Sequence, residues 1–431
     1  MHAENLNSRW MERSRAAVWH PCTQMQHHER LPLVPIARGE GAWLVDFEGK
    51  RYLDAVSSWW TNLFGHGHPR LKNAIATQLD ALDHVMLAGF THAPAVELAE
   101  ALAAVAPPGL GHVMYASDGA SATEIALKMS VHYWRLAGSS RKVKFVSVAG
   151  AYHGETIGAL AVTDVPLFRA AYSEMLKQHL SVPNPAVVGT DSAIASLAAM
   201  LGERAHDIAA FIVEPLVQGA NAMAMHDARY LRESYALCKQ HNVHFIADEI
   251  MTGFGRTGTL FACEQAQITP DMLCLSKGIT GGTLPLSAVM TTDDMFDAFY
   301  SEDVTRGFLH SHSYTGNPLA CAAAREVLRV FVDENVIARN AERAKMFNAF
   351  AVDIANEARV KTHRHCGMIW AFDIETQKKD FARAAFAHAM ERGVLLRPIG
   401  NTVYWMPPYC LNDDEVAQLA RVTLSVVREV A

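Results

Sequence analysis

The sequence lacks the marks of secreted, membrane-spanning and nucleic-acid-binding proteins. Its first residues contain no apolar stretch of the kind that a secretory signal requires. No segment reaches the ~18 consecutive apolar residues of a membrane span. Long Lys/Arg runs are also missing, and the formal net charge is −7, so nucleic acid is not an expected partner. We therefore expect a cytoplasmic protein that binds neither membranes nor nucleic acids and acts on small molecules.

Cysteine is sparse and scattered. The chain has 7 cysteines, and no two of them form a CxxC pair. An odd, dispersed set predicts reduced thiols rather than disulfides. Histidine is abundant, at 21 residues, and His66-Gly67-His68 and His310-Ser311-His312 bring imidazoles close together. Because no HExxH or comparable ligand spacing accompanies them, we expect no bound metal.

Apolar residues form two kinds of pattern along the chain: a helical spacing and short continuous runs. Helical spacing predicts helices at 69–83, 94–106, 121–137, 228–240, 317–333 and 413–430. Short apolar runs predict strands at 142–148, 209–214, 244–248, 272–275 and 286–290. Most of these strands show no polar alternation, which is typical of strands buried on both faces. Alternating helices and buried strands predict an α/β fold with a mostly parallel sheet.

The two ends of the chain have a different character. Residues 1–65 contain short strand-like pieces around turns, and residues 335–431 contain a long helix, further strand-like pieces and a last helix. With 431 residues, the chain is long enough for two domains. We expect a large domain at 69–320 and a smaller α+β domain formed by 1–68 and 321–431.

A glycine- and serine-rich turn opens one of the predicted helices. Ser117-Asp118-Gly119-Ala120-Ser121 follows a strand end and leads directly into the helix. Free backbone N–H groups at the positive end of a helix dipole bind phosphate well. The alternative is a plain N-cap, because Ser and Asp often cap helices. Taken alone, the turn favours the plain cap.

Two further motifs follow buried strands. Asp248 ends the strand at 244–248, and a carboxylate at the C-terminal end of a parallel strand points to the crevice where α/β folds bind ligands. Lys277 follows the strand at 272–275, where desolvation and nearby positive charge would lower the amine pKa and suit Schiff-base chemistry. The alternatives are a capping or metal-binding Asp and a surface Lys in a turn. A phosphate cradle, an acid and an amine are together the parts that pyridoxal phosphate needs.

The sequence closely resembles the class III aminotransferases, which are pyridoxal-phosphate enzymes of fold type I. The stretches that carry the resemblance span most of the chain and are 117–124, 152–154, 214–215, 248–250, 253–258, 276–278 and 312–318. The resemblance implies that Lys277 holds the cofactor as a Schiff base and that Asp248 pairs with the pyridine nitrogen. It also implies that Tyr152 stacks on the cofactor ring and that Ile250 packs against its other face.

The resemblance also implies a phosphate site shared by two chains. Gly119 and Ala120 would give backbone N–H groups to the phosphate, and the Ser313 hydroxyl would reach the phosphate of the neighbouring subunit. We therefore expect a homodimer with its active sites at the subunit interface.

Other stretches resemble the branch of the family that acts in biotin biosynthesis. They are 19–21, 57–60, 84–86, 91–94, 393–394, 397–398 and 406–409. That resemblance implies transamination of 8-amino-7-oxononanoate with S-adenosyl-L-methionine as amino donor. Three positions differ from the branch: Cys22 stands where a Tyr is usual, Glu155 where an Asp is usual, and Ala120 where a Ser is frequent.

The expected substrate site combines aromatic side chains with one cation. Trp59 and Trp60 are large aromatics that suit a long aliphatic chain, although Trp60 serves equally well as a core or interface residue. Arg397 follows an apolar run and would bind the substrate carboxylate through two parallel N–H donors; the alternative is a structural salt bridge. Cys22, together with Tyr152 and Lys277, completes the expected substrate contacts.

Three other functions stay open. An ω-aminotransferase would use lysine, a diamine or β-alanine with a keto acid. An aminomutase would share the lysine and the aspartate without exchanging amino groups between two substrates. A non-catalytic ligand-binding relative is the third, and the intact Lys277 and Asp248 argue against it.

Overall fold

The computed structural model describes residues 5–31, 33–177 and 179–431. The chain divides into two compact units. The small unit comprises the described part of Met1–His68, with Lys345–His363 and Trp370–Ala431. The large unit comprises Pro69–Ala344, apart from the undescribed residue, and Arg364–Ile369. The domain boundaries given by the sequence pattern stay predictions.

The described residues form strands and helices along the whole of their length. The strands are β1 (Ile36–Glu40), β2 (Trp43–Asp46), β3 (Arg51–Asp54), β4 (Leu110–Ala116), β5 (Lys144–Val148), β6 (Leu180–Val182), β7 (Ile208–Val213), β8 (Val217–Gln218), β9 (Ala224–Met225), β10 (His244–Asp248), β11 (Met272–Leu275), β12 (Ser287–Thr292), β13 (Val360–Cys366), β14 (Ile369–Ile374), β15 (Val394–Leu395) and β16 (Thr402–Trp405).

The helical segments are α1 (Leu6–Ala17), the single left-handed turn α2 (Ser57–Trp60), α3 (Pro69–Ala81), α4 (Ala93–Val105), α5 (Gly119–Leu136), α6 (Ile157–Val162), α7 (Pro166–Arg169), α8 (Pro185–Val188), α9 (Thr190–Arg204), α10 (Ala228–Gln240), α11 (Cys263–Ala266), α12 (Asp293–Phe299), α13 (Pro318–Asp333), α14 (Val336–Ala355), α15 (Phe381–Glu391) and α16 (Asp413–Ser425). None of the helices in the described ranges combines the length and apolarity needed to cross a membrane.

A seven-stranded sheet forms the centre of the large unit, in the order β4-β12-β11-β10-β7-β5-β6. The neighbours from β11 to β6 run parallel, whereas β12 is antiparallel to both β11 and β4. The connection from Leu275 to Ser287 is too short for the helical crossover that a parallel return requires, which explains why β12 reverses direction. The predicted mostly parallel α/β sheet is confirmed.

Burial on both faces explains why the central strands lack polar alternation. Every residue of β7, β10 and β11 is buried. Helix α5 covers the sheet with an apolar face that includes Ile125 and Met129, which pack in one cluster with residues of these strands. Buried parallel strands are continuously apolar for this reason. The core therefore fixes the carboxyl ends of β10 and β11 at one edge of the sheet.

Two small sheets shape the small unit. One has the order β1-β2-β3-β15, with β15 running parallel to β3. In the other, β14 and β16 pair antiparallel from Trp370 opposite Trp405 to Asp373 opposite Thr402. The segment that follows β3 enters the left-handed turn α2, and Arg397 lies two residues beyond the end of β15.

Candidate active site

The carboxyl ends of β10 and β11 bring an acid and an amine to the same edge of the large sheet. Asp248 is the last residue of β10 and lies opposite Cys274 of β11 in parallel register. Lys277 begins a short 3₁₀ turn just beyond β11. Parallel strands that end side by side form the crevice in which α/β proteins bind ligands.

Lys277 lies in an acidic rather than a basic environment. Burial lowers the pKa of its amine, and the carboxylates of Asp248 and Glu214 oppose this shift. Desolvation thus acts as the sequence suggested, but the expected nearby positive charge is not among the causes. The backbone at Lys277 is left-handed, with φ of 46°. Such strain at a non-glycine residue clusters at functional sites.

Asp248 is held by two hydrogen bonds. Its Oδ2 lies 2.6 Å from Nδ1 of His153, and its Oδ1 accepts from the backbone N–H of Ile250 at 3.1 Å. The His153 ring is fully buried, and its Nε2 has no hydrogen-bond partner among the described residues. A buried polar atom without a partner is costly. The hydrogen bond from Nδ1–H of His153 fixes the position of Asp248, although it leaves Nε2 of His153 unpaired within the described residues.

Glu214 is a second buried acid beside Lys277. One of its carboxyl oxygens accepts from the backbone N–H of Tyr152 and the other from that of Gly219, each at 3.1 Å. Burial, with a smaller contribution from Asp248, raises the pKa of Glu214 to about 7. The sequence pattern contained Glu214 and His153 in its matching stretches but gave neither of them a role.

The N-terminus of α5 forms a cradle of backbone N–H groups. The Asp118 side chain caps the helix by accepting from the backbone N–H of Ser121 at 3.0 Å. The N–H groups of Gly119 and Ala120 precede the first intrahelical bond, which runs from Ala122 N to Asp118 O. A Cβ at position 119 would lie 2.8 Å from Cγ2 of Ile250. Glycine is therefore needed here, and Ile250 packs directly against the cradle.

Tyr152 makes hydrogen bonds to two acidic side chains. Its backbone N–H bonds Glu214, and its hydroxyl donates to Oε1 of Glu155 at 2.8 Å. The ring contacts Phe168 edge to face, with centroids 5.5 Å apart. Glu155, the residue that replaces the usual Asp, thus orients the Tyr152 hydroxyl.

Ser313 lies apart from these groups. Its side chain is exposed, and no hydrogen bond of the described residues involves it. The neighbouring His312 is tied to the start of the cradle, since its Nε2 lies 3.1 Å from Oγ of Ser117. The structure therefore places the segment that contains Ser313 beside the cradle strand without joining Ser313 to Gly119 or Ala120.

The remaining expected residues lie in the small unit. The Arg397 guanidinium stacks on the Trp59 ring at 5.0 Å from its centroid. Arg397 takes part in no ion pair within the described ranges, so the salt-bridge alternative finds no support there. Cys22 and Arg397 both line a cavity of about 480 Å³ whose walls are largely apolar. Trp60 is only 6% exposed and donates from Nε1 to the Tyr404 hydroxyl at 3.0 Å, a packing role.

The large-unit residues fit pyridoxal phosphate. Glycine at position 119 leaves room for Ile250 to pack against the cradle, and the free backbone N–H groups of a helix N-terminus suit a phosphate. A fixed carboxylate suits a protonated ring nitrogen, and an amine of lowered pKa suits a carbonyl carbon. No group of three or more His, Cys, Asp or Glu side chains in the part of the chain that the structure describes is arranged to hold a metal ion.

The sequence is similar to those of known aminotransferases. The chain matches the family model described as aminotransferase class-III over residues 24–426. It is 43% identical to the adenosylmethionine-8-amino-7-oxononanoate aminotransferase of Helicobacter pylori over 420 residues, which cover 96% of each chain. It is 37% identical to the enzyme of the same name from Geobacter sulfurreducens, over 93% of each chain.

The fold is also similar to the solved structures of aminotransferases. The adenosylmethionine-8-amino-7-oxononanoate aminotransferase of Methanocaldococcus jannaschii superposes with a TM-score of 0.94 at 33% identity, covering 98% of this chain and 99% of that one. An amine transaminase from an uncultivated Pseudomonas species, in its PLP-bound form, gives a TM-score of 0.90 at 30% identity, covering 96% and 99%. The expected transaminase fold is therefore confirmed.

Proposed function

Because the chain belongs to the class-III aminotransferase family, we propose that it converts 8-amino-7-oxononanoate to 7,8-diaminononanoate in biotin biosynthesis. The proposed amino donor is S-adenosyl-L-methionine, and the proposed setting is the cytoplasm. The relatives from Helicobacter pylori and Geobacter sulfurreducens are named for this donor and this acceptor.

One observation in the structure carries the choice of acceptor. Arg397 presents a guanidinium that is stacked on Trp59, unpaired within the described ranges, and placed on the wall of a largely apolar cavity. Guanidinium binds a carboxylate through two parallel N–H donors. The amino-oxo acid carries its carboxylate at the far end of an aliphatic chain from its reacting carbon, so it offers the anion and the apolar body that this arrangement suits.

The enzyme is an aminotransferase whose cofactor is pyridoxal 5'-phosphate. When bound, the cofactor supplies a carbonyl carbon for amines and a ring that takes up electrons during amino transfer. Lys277 Nζ would hold the cofactor and, once displaced by the substrate amine, would move the proton at the reacting carbon. Its lowered pKa favours the neutral amine that both tasks require.

Asp248 would hold the ring nitrogen in its protonated form. Its carboxylate is fixed by His153 and by the backbone N–H of Ile250, so it needs no reorganisation when the ring arrives. Tyr152 would stack on one face of the ring and Ile250 would pack on the other. Both are kept in place by contacts already formed, to Glu155 and to Gly119 respectively.

The phosphate would bind at the N-terminus of α5. Gly119 and Ala120 would donate backbone N–H groups, and a homodimer would add the Ser313 hydroxyl from the neighbouring chain. The exposed position of Ser313 supports this part of the proposal, because its side chain makes no hydrogen bond within the described ranges of its own chain. Cys22, Trp59 and Arg397 stay the proposed substrate contacts in the small unit, and Trp60 would support them through packing.

Separate amino donors test the proposal. The purified enzyme with 8-amino-7-oxononanoate would receive S-adenosyl-L-methionine, lysine, or alanine, and 7,8-diaminononanoate would be measured by mass spectrometry. Product formed fastest with S-adenosyl-L-methionine is the expected result. Product formed only with lysine would show that lysine, not S-adenosyl-L-methionine, is the amino donor. Turnover of β-alanine, lysine or a diamine with a keto acid, without amination of 8-amino-7-oxononanoate, would establish an ω-aminotransferase instead.

A further inference from the structure

The turn that carries Trp59 has an unusual backbone. Ser57, Ser58, Trp59 and Trp60 are all left-handed, with φ of 52°, 46°, 73° and 71°. Left-handed residues other than Gly, Asn and Asp are uncommon, and runs of them are disfavoured because each Cβ crowds the following carbonyl oxygen. Four in succession persist only when the surroundings determine the conformation. The surrounding contacts must therefore hold this turn.

The buried side chain of Asp54 makes most of the hydrogen bonds that hold the turn. It is completely buried, and its carboxylate oxygens accept from Ser58 N at 2.9 Å, Ser58 Oγ at 2.7 Å and Val56 N at 3.3 Å. A fourth bond comes from Nε2 of His66 at 3.0 Å. A buried carboxylate with this many donors is well satisfied and costly to disturb.

The tautomer of His66 follows from its neighbours. The Asn62 Oδ1 accepts from the backbone N–H of Gly65 at 2.7 Å, which fixes the orientation of the Asn62 amide. The Asn62 Nδ2 therefore donates to Nδ1 of His66, at 3.1 Å. With Nδ1 as the acceptor, the ring carries its proton on Nε2 and donates it to Asp54. Asn62 thus fixes the imidazole as the tautomer that Asp54 requires.

Two further bonds anchor the ends of the turn and leave Trp59 outward. Ser57 Oγ donates to the backbone oxygen of Met406 at 2.7 Å, and Trp60 Nε1 donates to the Tyr404 hydroxyl at 3.0 Å. Trp60 is 6% exposed, whereas Trp59 is 44% exposed and faces Arg397. The left-handed backbone thus buries one indole and presents the other to the guanidinium.

We propose that Asp54 and His66 are positioning residues for substrate specificity. They hold the left-handed turn Ser57–Trp60 so that the Trp59 indole keeps the Arg397 guanidinium aimed at the substrate carboxylate. This inference rests on the proposed function, in which Arg397 reads that carboxylate. It adds a buried acid, a tautomer-fixed imidazole and the Ser58 hydroxyl to the groups on which acceptor recognition depends.

The Ser58→Ala variant tests this with the least disturbance. It removes the hydroxyl that bonds Asp54 and keeps the backbone N–H bond, so the chain is expected to fold. The KM for 8-amino-7-oxononanoate should rise by on the order of tenfold, because the turn loses one of the charge-assisted hydrogen bonds that keep Trp59 against Arg397. The kcat and the KM for an amine donor without a carboxylate should stay within about twofold, because only uniform binding of the acid is lost. Asp54→Asn should show the same split with a larger rise.

A double variant separates positioning from general support of the fold. If Ser58 acts through Trp59, then Ser58→Ala should add nothing to the KM of Trp59→Ala, because the two changes remove one interaction. Ser425→Ala is the matched control, since it also removes a hydrogen-bonded hydroxyl from the small unit, at the end of α16. It should leave both KM values unchanged.

The outcomes distinguish this inference from the proposed function. Additive effects of Ser58→Ala and Trp59→Ala, equal losses for both substrates, or no change of KM in Ser58→Ala would overturn the positioning role. If Arg397→Ala still raises the KM for the acid in that case, the proposed carboxylate contact survives. If Arg397→Ala leaves that KM unchanged, the carboxylate contact fails first, and the positioning role fails with it.

Discussion

Nδ1 of His153 lies 2.6 Å from Oδ2 of Asp248, and both side chains are buried at the carboxyl edge of the large sheet. This pairing joins residues that are 95 positions apart in the chain. It fixes one oxygen of the Asp248 carboxylate and leaves the other to the backbone N–H of Ile250. The acid that we propose for the ring nitrogen is therefore held in place by groups of the protein itself.

Replacing Asp248 with Asn should abolish most of the catalytic rate. The amide keeps the shape of the side chain but cannot hold a ring nitrogen protonated, so the loss falls on the transition state. We expect kcat to fall by roughly a hundredfold or more while KM changes little. Steady-state kinetics with both substrates measure this, and thermal unfolding serves as the control for folding. A change confined to KM would contradict the role.

Glu214 should make stability depend on pH in a defined direction. Its folded pKa is raised from 4.5 to about 7 by burial, so between these values the folded chain binds more protons than the unfolded chain. Stability from this group is therefore full below pH ~4.5 and is lost as pH rises through about 7. The loss is on the order of 3 kcal/mol, because each pKa unit corresponds to about 1.4 kcal/mol.

The Glu214→Gln variant isolates this effect. Gln cannot titrate, so the stability of the natural chain relative to the variant should fall as the pH rises from about 4.5 to about 7 and then stay constant. Urea unfolding of the cofactor-free proteins at several pH values measures the difference. Other buried acids such as Glu249, whose pKa is also raised to about 7, occur in both proteins and cancel. A difference independent of pH would show that Glu214 does not titrate in this range.

The central strands could be predicted from the sequence, whereas the first helix could not. The bounds of β10 and β11 match the predicted 244–248 and 272–275, because strands buried on both faces leave an uninterrupted apolar run. Helix α1 has no buried residue and hence no apolar stripe to detect. The reversed direction of β12 depends on the length of a connection, which periodicity does not report.

The site shows the same division between local and distant information. Lys277 and Asp248 stand in short motifs next to buried strands, so local reasoning reaches them. The bond of His153 to Asp248 joins distant segments, and no local pattern contains it. The turn Ser57–Trp60 includes none of the residues that favour left-handed backbone, such as Gly or Asn. Its conformation also depends on the bonds to Met406 and Tyr404, which only the folded chain brings to the turn.

A methyl group at position 119 should damage the phosphate cradle. Gly119→Ala would place its Cβ 2.8 Å from Cγ2 of Ile250, and overpacking of this kind costs about 1–3 kcal/mol. We expect weaker retention of pyridoxal phosphate on gel filtration and a lower unfolding temperature. Gly111→Ala is the matched control, because its Cβ would meet only Asp293 at an ordinary 3.6 Å. Gly119→Ala should cost less stability in an Ile250→Ala background than in the natural chain; equal costs in the two backgrounds would place the clash elsewhere.

Removing the guanidinium of Arg397 should affect substrates that carry a carboxylate. Arg397→Ala should raise the KM for 8-amino-7-oxononanoate by roughly a hundredfold, since a bidentate charged pair is among the stronger hydrogen-bonded contacts. An amine donor without a carboxylate should keep its KM. Arg397→Lys is the informative companion, because its ammonium keeps the charge but loses the planar fork, and it should recover only part of the affinity. Equal losses for both substrates would mean that Arg397 supports the fold.

Ser313 allows a test in which two defective chains repair each other. We expect Ser313→Ala to bind pyridoxal phosphate more weakly and Lys277→Ala to have no turnover. If each site combines Lys277 of one chain with Ser313 of the other, a mixed dimer of these two variants contains one site with both natural residues and one site with neither. Mixed dimers isolated with two different affinity tags should then bind cofactor at the repaired site as tightly as the natural enzyme and reach about half of its rate per dimer.

The opposite arrangement gives a different result in the same mixed dimer. If Ser313 serves its own chain, the one remaining Lys277 lies in the site that lacks the serine hydroxyl. The weak cofactor binding of the Ser313→Ala variant then persists in the mixed dimer. That outcome, or a natural chain that is active as a monomer at low concentration, would rule out the shared site, because a hydroxyl supplied by a neighbour cannot act without that neighbour.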